Sequence, residues 1–255
     1  MKNVIFLGSK PIGYNCLDFL IKNKDKLNIK IKGVLSNDNT RFDEALSIKT
    51  LASINDIVFF EKLNDILVLN DIDFILSVQY HLILKRNHID VAKDLAVNLH
   101  MAPLPEYRGC NQFSFAIYNK NKIFGTTLHR LETGIDNGAI IAEKRFEILP
   151  SDDVESLYTK TFDYSISLFK SEIGKIIKGE YSLTEQDTFI GERDTNIYYR
   201  KDINELKKIN LNDSSETIVR TVKATAMRGF EPPYALVDGE KFYIIPEKMY
   251  TKQKG

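Results

Sequence analysis

Phe74-Ile75-Leu76-Ser77-Val78, closed by Gln79-Tyr80-His81, is the stretch that decides the fold. A strand with one wet face alternates apolar and polar residues, whereas this run is almost continuously apolar, as expected of a strand covered on both faces in the middle of a parallel sheet. Working outward, Val4 to Leu7 and Ile29 to Leu35 read as further strands, with Ile12 to Asn23 as the helix between them. Asp43 to Ser53 has a helical pattern, Ile57 to Phe60 is extended, and Leu95 to Asn98 supplies the next strand. This alternation is that of an α/β domain. Ligands of such sheets bind beyond the carboxyl ends of the strands, so Gly8, Gln79 to His81 and Asn98 to His100 should converge on one crevice.

Downstream, Gln112 to Asn119 predicts a helix, Gly125 to Leu131 and Ala139 to Ile148 predict strands, and a long helix should run to about Lys178, with Ser151 or Asp152 as its N-cap. The character changes at Gly179. Gln186 to Asn212 is polar and irregular, Ser214 to Met227 is helical in period, and Tyr234 to Ile245 reads as a hairpin turning at Asp238-Gly239. The boundary falls near residues 180–200, dividing the chain into a domain of residues 1–185 and a small C-terminal domain of residues 186–255.

Composition excludes several classes. Lys+Arg and Asp+Glu number 35 each in 255 residues, so the field expected of a nucleic-acid-gripping protein is missing and no nucleic-acid partner is expected. No stretch approaches the roughly 20 apolar residues of a membrane span, and the N-terminal run Val4 to Leu7 is too short for a secretory leader. A cytoplasmic protein without membrane attachment is therefore expected. Cys16 and Cys110 are the only cysteines, without the clustered spacing zinc requires, and His81, His88 and His129 show no metal spacing either. No metal is expected, and each of those three histidines reads as structural or solvated.

The chemistry points to Asn98, His100 and Asp136. If Leu95 to Asn98 is a strand, Asn98 and His100 emerge on one face. An imidazole with a pKa near about 6.5 can exchange a proton with a reacting amine, an amide can donate to a developing oxyanion, and a carboxylate can orient the imidazole. Asp136 lies in Glu132-Thr133-Gly134-Ile135-Asp136-Asn137-Gly138, a loop whose glycines let the backbone turn back toward a strand end. Gly8-Ser9-Lys10-Pro11-Ile12-Gly13 lacks the Lys-Ser/Thr of a triphosphate loop, so a tight strand-to-helix turn is the plainer reading, although Lys10 beside a helix N-terminus can meet a diphosphate. Arg108, in the proline-stiffened Leu104-Pro105-Glu106-Tyr107-Arg108-Gly109, reads equally as an anion-binding group or as part of an ordinary ordered loop.

The run Val97-Asn98-Leu99-His100-Met101-Ala102-Pro103-Leu104-Pro105-Glu106-Tyr107-Arg108-Gly109, with Thr133 to Gly138 downstream, closely resembles the N10-formyltetrahydrofolate-dependent formyltransferases over roughly residues 1–180. The resemblance implies a Rossmann-like, mostly parallel α/β sheet, the formyltransferase fold, with a small α+β C-terminal domain. It implies catalysis by Asn98, His100 and Asp136, with N10-formyltetrahydrofolate as co-substrate. The pterin would be held largely by backbone of Val78 to Leu84, with Tyr80, Leu82 and Leu84 contributing, and by the loop before Asp136.

Met101 to Gln112 resembles the sugar N-formyltransferases in particular, which implies a dTDP- or UDP-linked amino sugar as acceptor, met by Lys10, Met101 and Arg108. The acceptor so implied is dTDP-4-amino-4,6-dideoxyglucose, in O-antigen or lipopolysaccharide synthesis, and the implied assembly is a homodimer. A methionyl-tRNA formyltransferase and a non-catalytic folate- or sugar-nucleotide-binding module are the alternatives.

Overall fold

A computed structural model of the chain describes residues 1–37 and 47–250. β1 (Lys2–Gly8), β2 (Ile29–Leu35), β3 (Phe74–Val78) and β4 (Leu95–His100) are parallel, and β6 (Ile123–Arg130) and β7 (Ile140–Glu147) complete a six-stranded sheet. Its order is β2-β1-β3-β4-β6-β7, with β6 antiparallel to both β4 and β7. The sheet is thus mostly parallel, as expected.

Alternation along the strands builds two apolar layers. Val4, Phe6, Leu76, Val78, Val97 and Leu99 face one layer, where α1 (Lys10–Lys22) and the long α6 (Val154–Lys178) contribute Leu17, Leu20, Phe169 and Ile173. Ile5, Leu7, Ile75 and Ala96 face the other, closed by Leu63 and Ile66 of a short 3-10 turn (Leu63–Val68) and by Leu84 and Ile89. All five residues of β3 are buried, which is why its sequence does not alternate.

Shorter helices α2 (Lys24–Leu27), α3 (Ile48–Ser53) and α4 (Arg86–Ile89) connect these strands. α3 supplies the described part of the helix expected over Asp43 to Ser53, and the remainder, residues 43–46, lies outside the described residues. Ile57 to Phe60 makes one bridge, Phe59 to Val34. The long helix is capped beyond both expected candidates, Ser151 and Asp152. Its N-cap is Asp153, whose carboxylate accepts from the Ser156 N–H at 2.9 Å, while Asp152 turns back to accept from Leu149 N–H at 2.8 Å.

α5 (Gln112–Tyr118) and α8 (Ser215–Thr225) close a third cluster around Tyr107, Phe124, Phe146 and Leu157. The polar stretch after α6 is more ordered than its composition suggests. It holds a 3-10 turn (Gln186–Phe189), a two-residue β8 (Ile197–Tyr198) paired with β5 (Arg108–Gly109), then α7 (Asp202–Leu206) and β9 (Lys208–Ile209). β10 (Tyr234–Val237) and β11 (Glu240–Tyr243) form the expected hairpin, with positive φ at both Asp238 and Gly239 as a two-residue type I′ turn requires. α9 (Glu247–Tyr250) follows. Among the described residues no helix is long and apolar enough to cross a membrane.

Candidate active site

β4 delivers two polar side chains to one face because alternate residues share a face: Val97 and Leu99 sink into the α1/α6 layer while Asn98 and His100 project opposite. The strand end is fixed by Thr126, whose hydroxyl donates to the His100 carbonyl at 3.0 Å and accepts from Ser165 at 2.7 Å. Asp136 arrives from the loop between β6 and β7 with φ +44, a left-handed backbone that a non-glycine residue adopts only when its surroundings hold it there. Its carboxylate accepts from the Gly109 N–H at 2.9 Å and lies 3.6 Å from His100 Nδ1 and 3.5 Å from Asn98 Nδ2. The structure therefore brings Asn98, His100 and Asp136 together.

His100 is 4 % exposed, and its Nε2 is 2.7 Å from the Tyr107 carbonyl. A carbonyl only accepts, so Nε2 carries the proton and Nδ1, facing Asp136, is the atom left for proton exchange. His129 enters as a fourth member. It is 1 % exposed, sits directly across from Asn98 in the β4–β6 register, and its Nδ1 must donate to the Arg130 carbonyl at 2.9 Å. Its Nε2 lies 3.1 Å from Asn98 Nδ2, where it accepts from that amide when the ring is neutral and turns donor toward Asp136 when the ring is protonated. Nε2 also lies 3.5 Å from the Asp136 carboxylate.

Of the two expectations for His129, structural or solvated, the ring is buried rather than solvated, and it lies against Asn98 and Asp136. Its position opposite Asn98 follows from an antiparallel register between strands about thirty residues apart, which no local spacing reveals. Burial pushes the Asp136 carboxyl up, but the imidazoles of His100 and His129 and the Gly109 N–H outweigh it and hold the group well below the ordinary carboxylate range. Asp136 is therefore an anion at neutral pH.

The other expected residues are placed as follows. Lys10 follows β1 with φ +64 and donates to Gln79 Oε1 at 3.0 Å, and Gln79 itself has φ +53 at the end of β3. Two non-glycine residues in the left-handed region thus mark the same end of the sheet. Desolvation pushes the Lys10 ammonium down, with Cys110 opposing and Arg200 reinforcing that shift. The neighbouring Ser9 hydroxyl is buried and has no partner among the described residues.

Tyr80 is half-buried, and Leu82 and Ile83 are 45 % and 75 % exposed, an apolar rim beside a polar site. Leu84 and Met101 instead bury their side chains in the two layers of the core. Arg108 donates through Nε to Gln186 Oε1 at 2.9 Å. Among the described residues no group of three His, Cys, Asp or Glu side chains is placed to hold a metal.

A formyl transferase family model matches residues 18–172, the span that carries this amide, imidazole and carboxylate at the end of a parallel strand. The chain belongs to the formyl transferase family. It is a transferase of one-carbon groups.

Among solved structures it is similar to WlaRD, a sugar 3N-formyl transferase crystallised with dTDP and 5-N-formyl-THF, at 29% identity and a TM-score of 0.77, over 94% of this chain and 84% of that one. An N-formyltransferase from Helicobacter canadensis in complex with folinic acid and dTDP-3-aminofucose matches at 27% identity and a TM-score of 0.77, over 94% and 86%. The bifunctional polymyxin resistance protein ArnA of Wigglesworthia glossinidia brevipalpis is 29% identical over 88% of this chain, which spans only 34% of that relative's length. Methionyl-tRNA formyltransferases are among the relatives as well.

Proposed function

We propose that the chain transfers the formyl group of N10-formyltetrahydrofolate to the amino group of a nucleotide-linked amino-deoxysugar. The observation that carries this reading is the meeting of Asn98, His100 and Asp136 at the end of β4, in a chain whose fold is shared along 94% of its length with sugar formyltransferases. Both of those relatives hold a folate and a dTDP compound.

The site's own atoms suit such ligands. The exposed apolar rim of Leu82 and Ile83, with Tyr80, gives a flat pterin a surface to lie on. The buried Ser9 hydroxyl, without a partner among the described residues, lies beside Lys10 and the first turn of α1 and offers an anion such as a diphosphate one donor and one cation. Arg108 adds a second cation on the acceptor side.

In the mechanism proposed, the acceptor amine attacks the formyl carbon, and the oxyanion so formed is held by Asn98. One Asn98 amide hydrogen stays on His129 Nε2, while the rigid amide plane directs the other to the side of Asp136, which it meets only at 3.5 Å, and an oxyanion placed there accepts it. His100 Nδ1 supplies the second donor when protonated, and the Asp136 carboxylate 3.6 Å away assists the passage of the amine proton to the folate nitrogen as its bond to the formyl carbon breaks. Holding both reactants in contact contributes by proximity.

dTDP-4-amino-4,6-dideoxyglucose, in O-antigen or lipopolysaccharide synthesis, is the acceptor proposed. A homodimer is proposed as the assembly, joined through the hairpin whose Leu236, Val237, Phe242 and Tyr243 are all exposed. The function is tested by supplying formyl folate with either a dTDP-amino sugar or charged initiator tRNA. Consumption with the sugar alone supports it, and consumption with tRNA alone contradicts it.

A further inference from the structure

Gln186 lies in the polar stretch beyond α6, far in sequence from the residues that do the chemistry, yet it is only 2 % exposed. Every hydrogen-bonding group of its amide is engaged. Nε2 donates to the carbonyl of Asp136 and to that of Gly138, each at 2.8 Å, and Oε1 accepts from Arg108 Nε at 2.9 Å. An amide is the one neutral side-chain group that offers two donors and an acceptor at once.

The loop it grips needs gripping. Asp136 has φ +44, a conformation that costs free energy and persists only where the surroundings over-determine it. On the opposite side the loop has no slack, since a Cβ on Gly138 would lie 1.9 Å from the Arg130 carbonyl. Gly109 N–H, one residue beyond Arg108, holds the Asp136 carboxylate itself. Gln186 and the Arg108-Gly109 strand therefore fix the Asp136 backbone and carboxylate from two directions. Arg193, in the same stretch, anchors it to the body of the fold through a bidentate pair with Glu143, at 2.9 and 3.1 Å, and a bond to the Leu104 carbonyl at 3.2 Å.

We propose that Gln186 is a positioning residue: its amide hydrogens set the Asp136 loop in the geometry the reaction uses, and its amide oxygen aims Arg108 at the acceptor. The role of the loop rests on the formyl-transfer reading above, but the clamp itself does not. Through this one side chain the segment after α6 reaches both the reacting carboxylate and an acceptor-side cation.

The test uses the full chain with Gln186→Met, close in shape but unable to make any of the three bonds, and Gln186→Glu, which keeps the acceptor for Arg108 and loses both donors. The first readout needs no turnover. In ligand-free protein, the Gly109 amide and His129 ring resonances report the Asp136 carboxylate, and both should move in both variants while the melting transition stays cooperative.

The second readout is kinetic. kcat should fall about 100-fold in both variants, as a misplaced reacting group predicts, whereas the KM for the acceptor should rise in Gln186→Met only. Unmoved Gly109 and His129 resonances in a folded variant overturn the proposal, whether or not kcat falls, because the residue then supports the fold without positioning Asp136. Should Gln186→Met fail to fold, Gln186→Glu decides by the same resonances. Absence of formyl transfer by the unaltered enzyme sinks the functional reading alone, and the resonances still decide the clamp.

Discussion

Asn98 and His129 face each other across two antiparallel strands, with the asparagine amide nitrogen 3.1 Å from a ring nitrogen that accepts from it in the neutral imidazole. The imidazole therefore decides which way the Asn98 amide points, and with it where an oxyanion finds its donor. His129→Phe keeps the ring's bulk in a fully buried place but frees the amide to rotate. kcat is expected to fall about tenfold, the equivalent of one lost orienting hydrogen bond, with substrate KM values unchanged. Steady-state kinetics checks this, and a change confined to KM would contradict it.

Removing the oxyanion donor itself should cost more. Asn98→Ala is expected to lower kcat by about 100- to 1,000-fold, the range found for a single lost oxyanion-hole donor. Nucleotide-sugar binding, measured calorimetrically, should be nearly unaltered, because in the mechanism proposed Asn98 meets the formyl oxygen and not the nucleotide.

Asp136 makes stability depend on pH in a predictable direction. Its folded carboxyl lies below its unfolded value, so the stability it contributes is fully present above the ordinary carboxylate range, near pH 4, and is lost as pH falls through the folded value. Denaturant unfolding between pH 7 and pH 3 should show a steeper loss for the natural protein than for Asp136→Asn. Parallel curves for the two would show that the carboxyl titrates alike in the folded and the unfolded protein, without the lowering its neighbours imply.

Gly109 is required for a steric reason. Its φ is +91, and a Cβ there would lie 2.2 Å from the Tyr198 carbonyl in the β5–β8 pair. Gly109→Ala is expected to destabilise the fold by about 2 kcal/mol or more and to lower kcat, since the Gly109 N–H also holds Asp136. Thermal unfolding and kinetics on the same preparation separate the two effects.

How much of this was legible in the chain differs by residue. Phe74 to Val78 announced a central parallel strand because burial on both faces removes alternation, and Asp238-Gly239 announced its turn because few residues accept two consecutive positive φ values. Asn98 and His100 were readable as a pair because period-two geometry is local. The N-cap is Asp153 and not Ser151 or Asp152, a choice local sequence does not make because all three have capping side chains and the outcome depends on which of them meets the Ser156 N–H. His129 and Gln186 were invisible as site residues for a different reason. Each gains its role from a partner that the topology brings near, Asn98 through the β4–β6 register and Asp136 through the return of the chain after α6.

The central claim is direct formyl transfer to a sugar amine at Asn98, His100 and Asp136, and mass spectrometry of the acceptor tests it most directly. The enzyme and its His100→Ala variant are incubated with N10-formyltetrahydrofolate and a panel of dTDP- and UDP-linked amino sugars. The account predicts that at least one dTDP-amino sugar gains a single formyl group with the natural enzyme and none does with the variant. Formylation that survives loss of His100, or a panel left unmodified by an enzyme that formylates charged initiator tRNA, would contradict it.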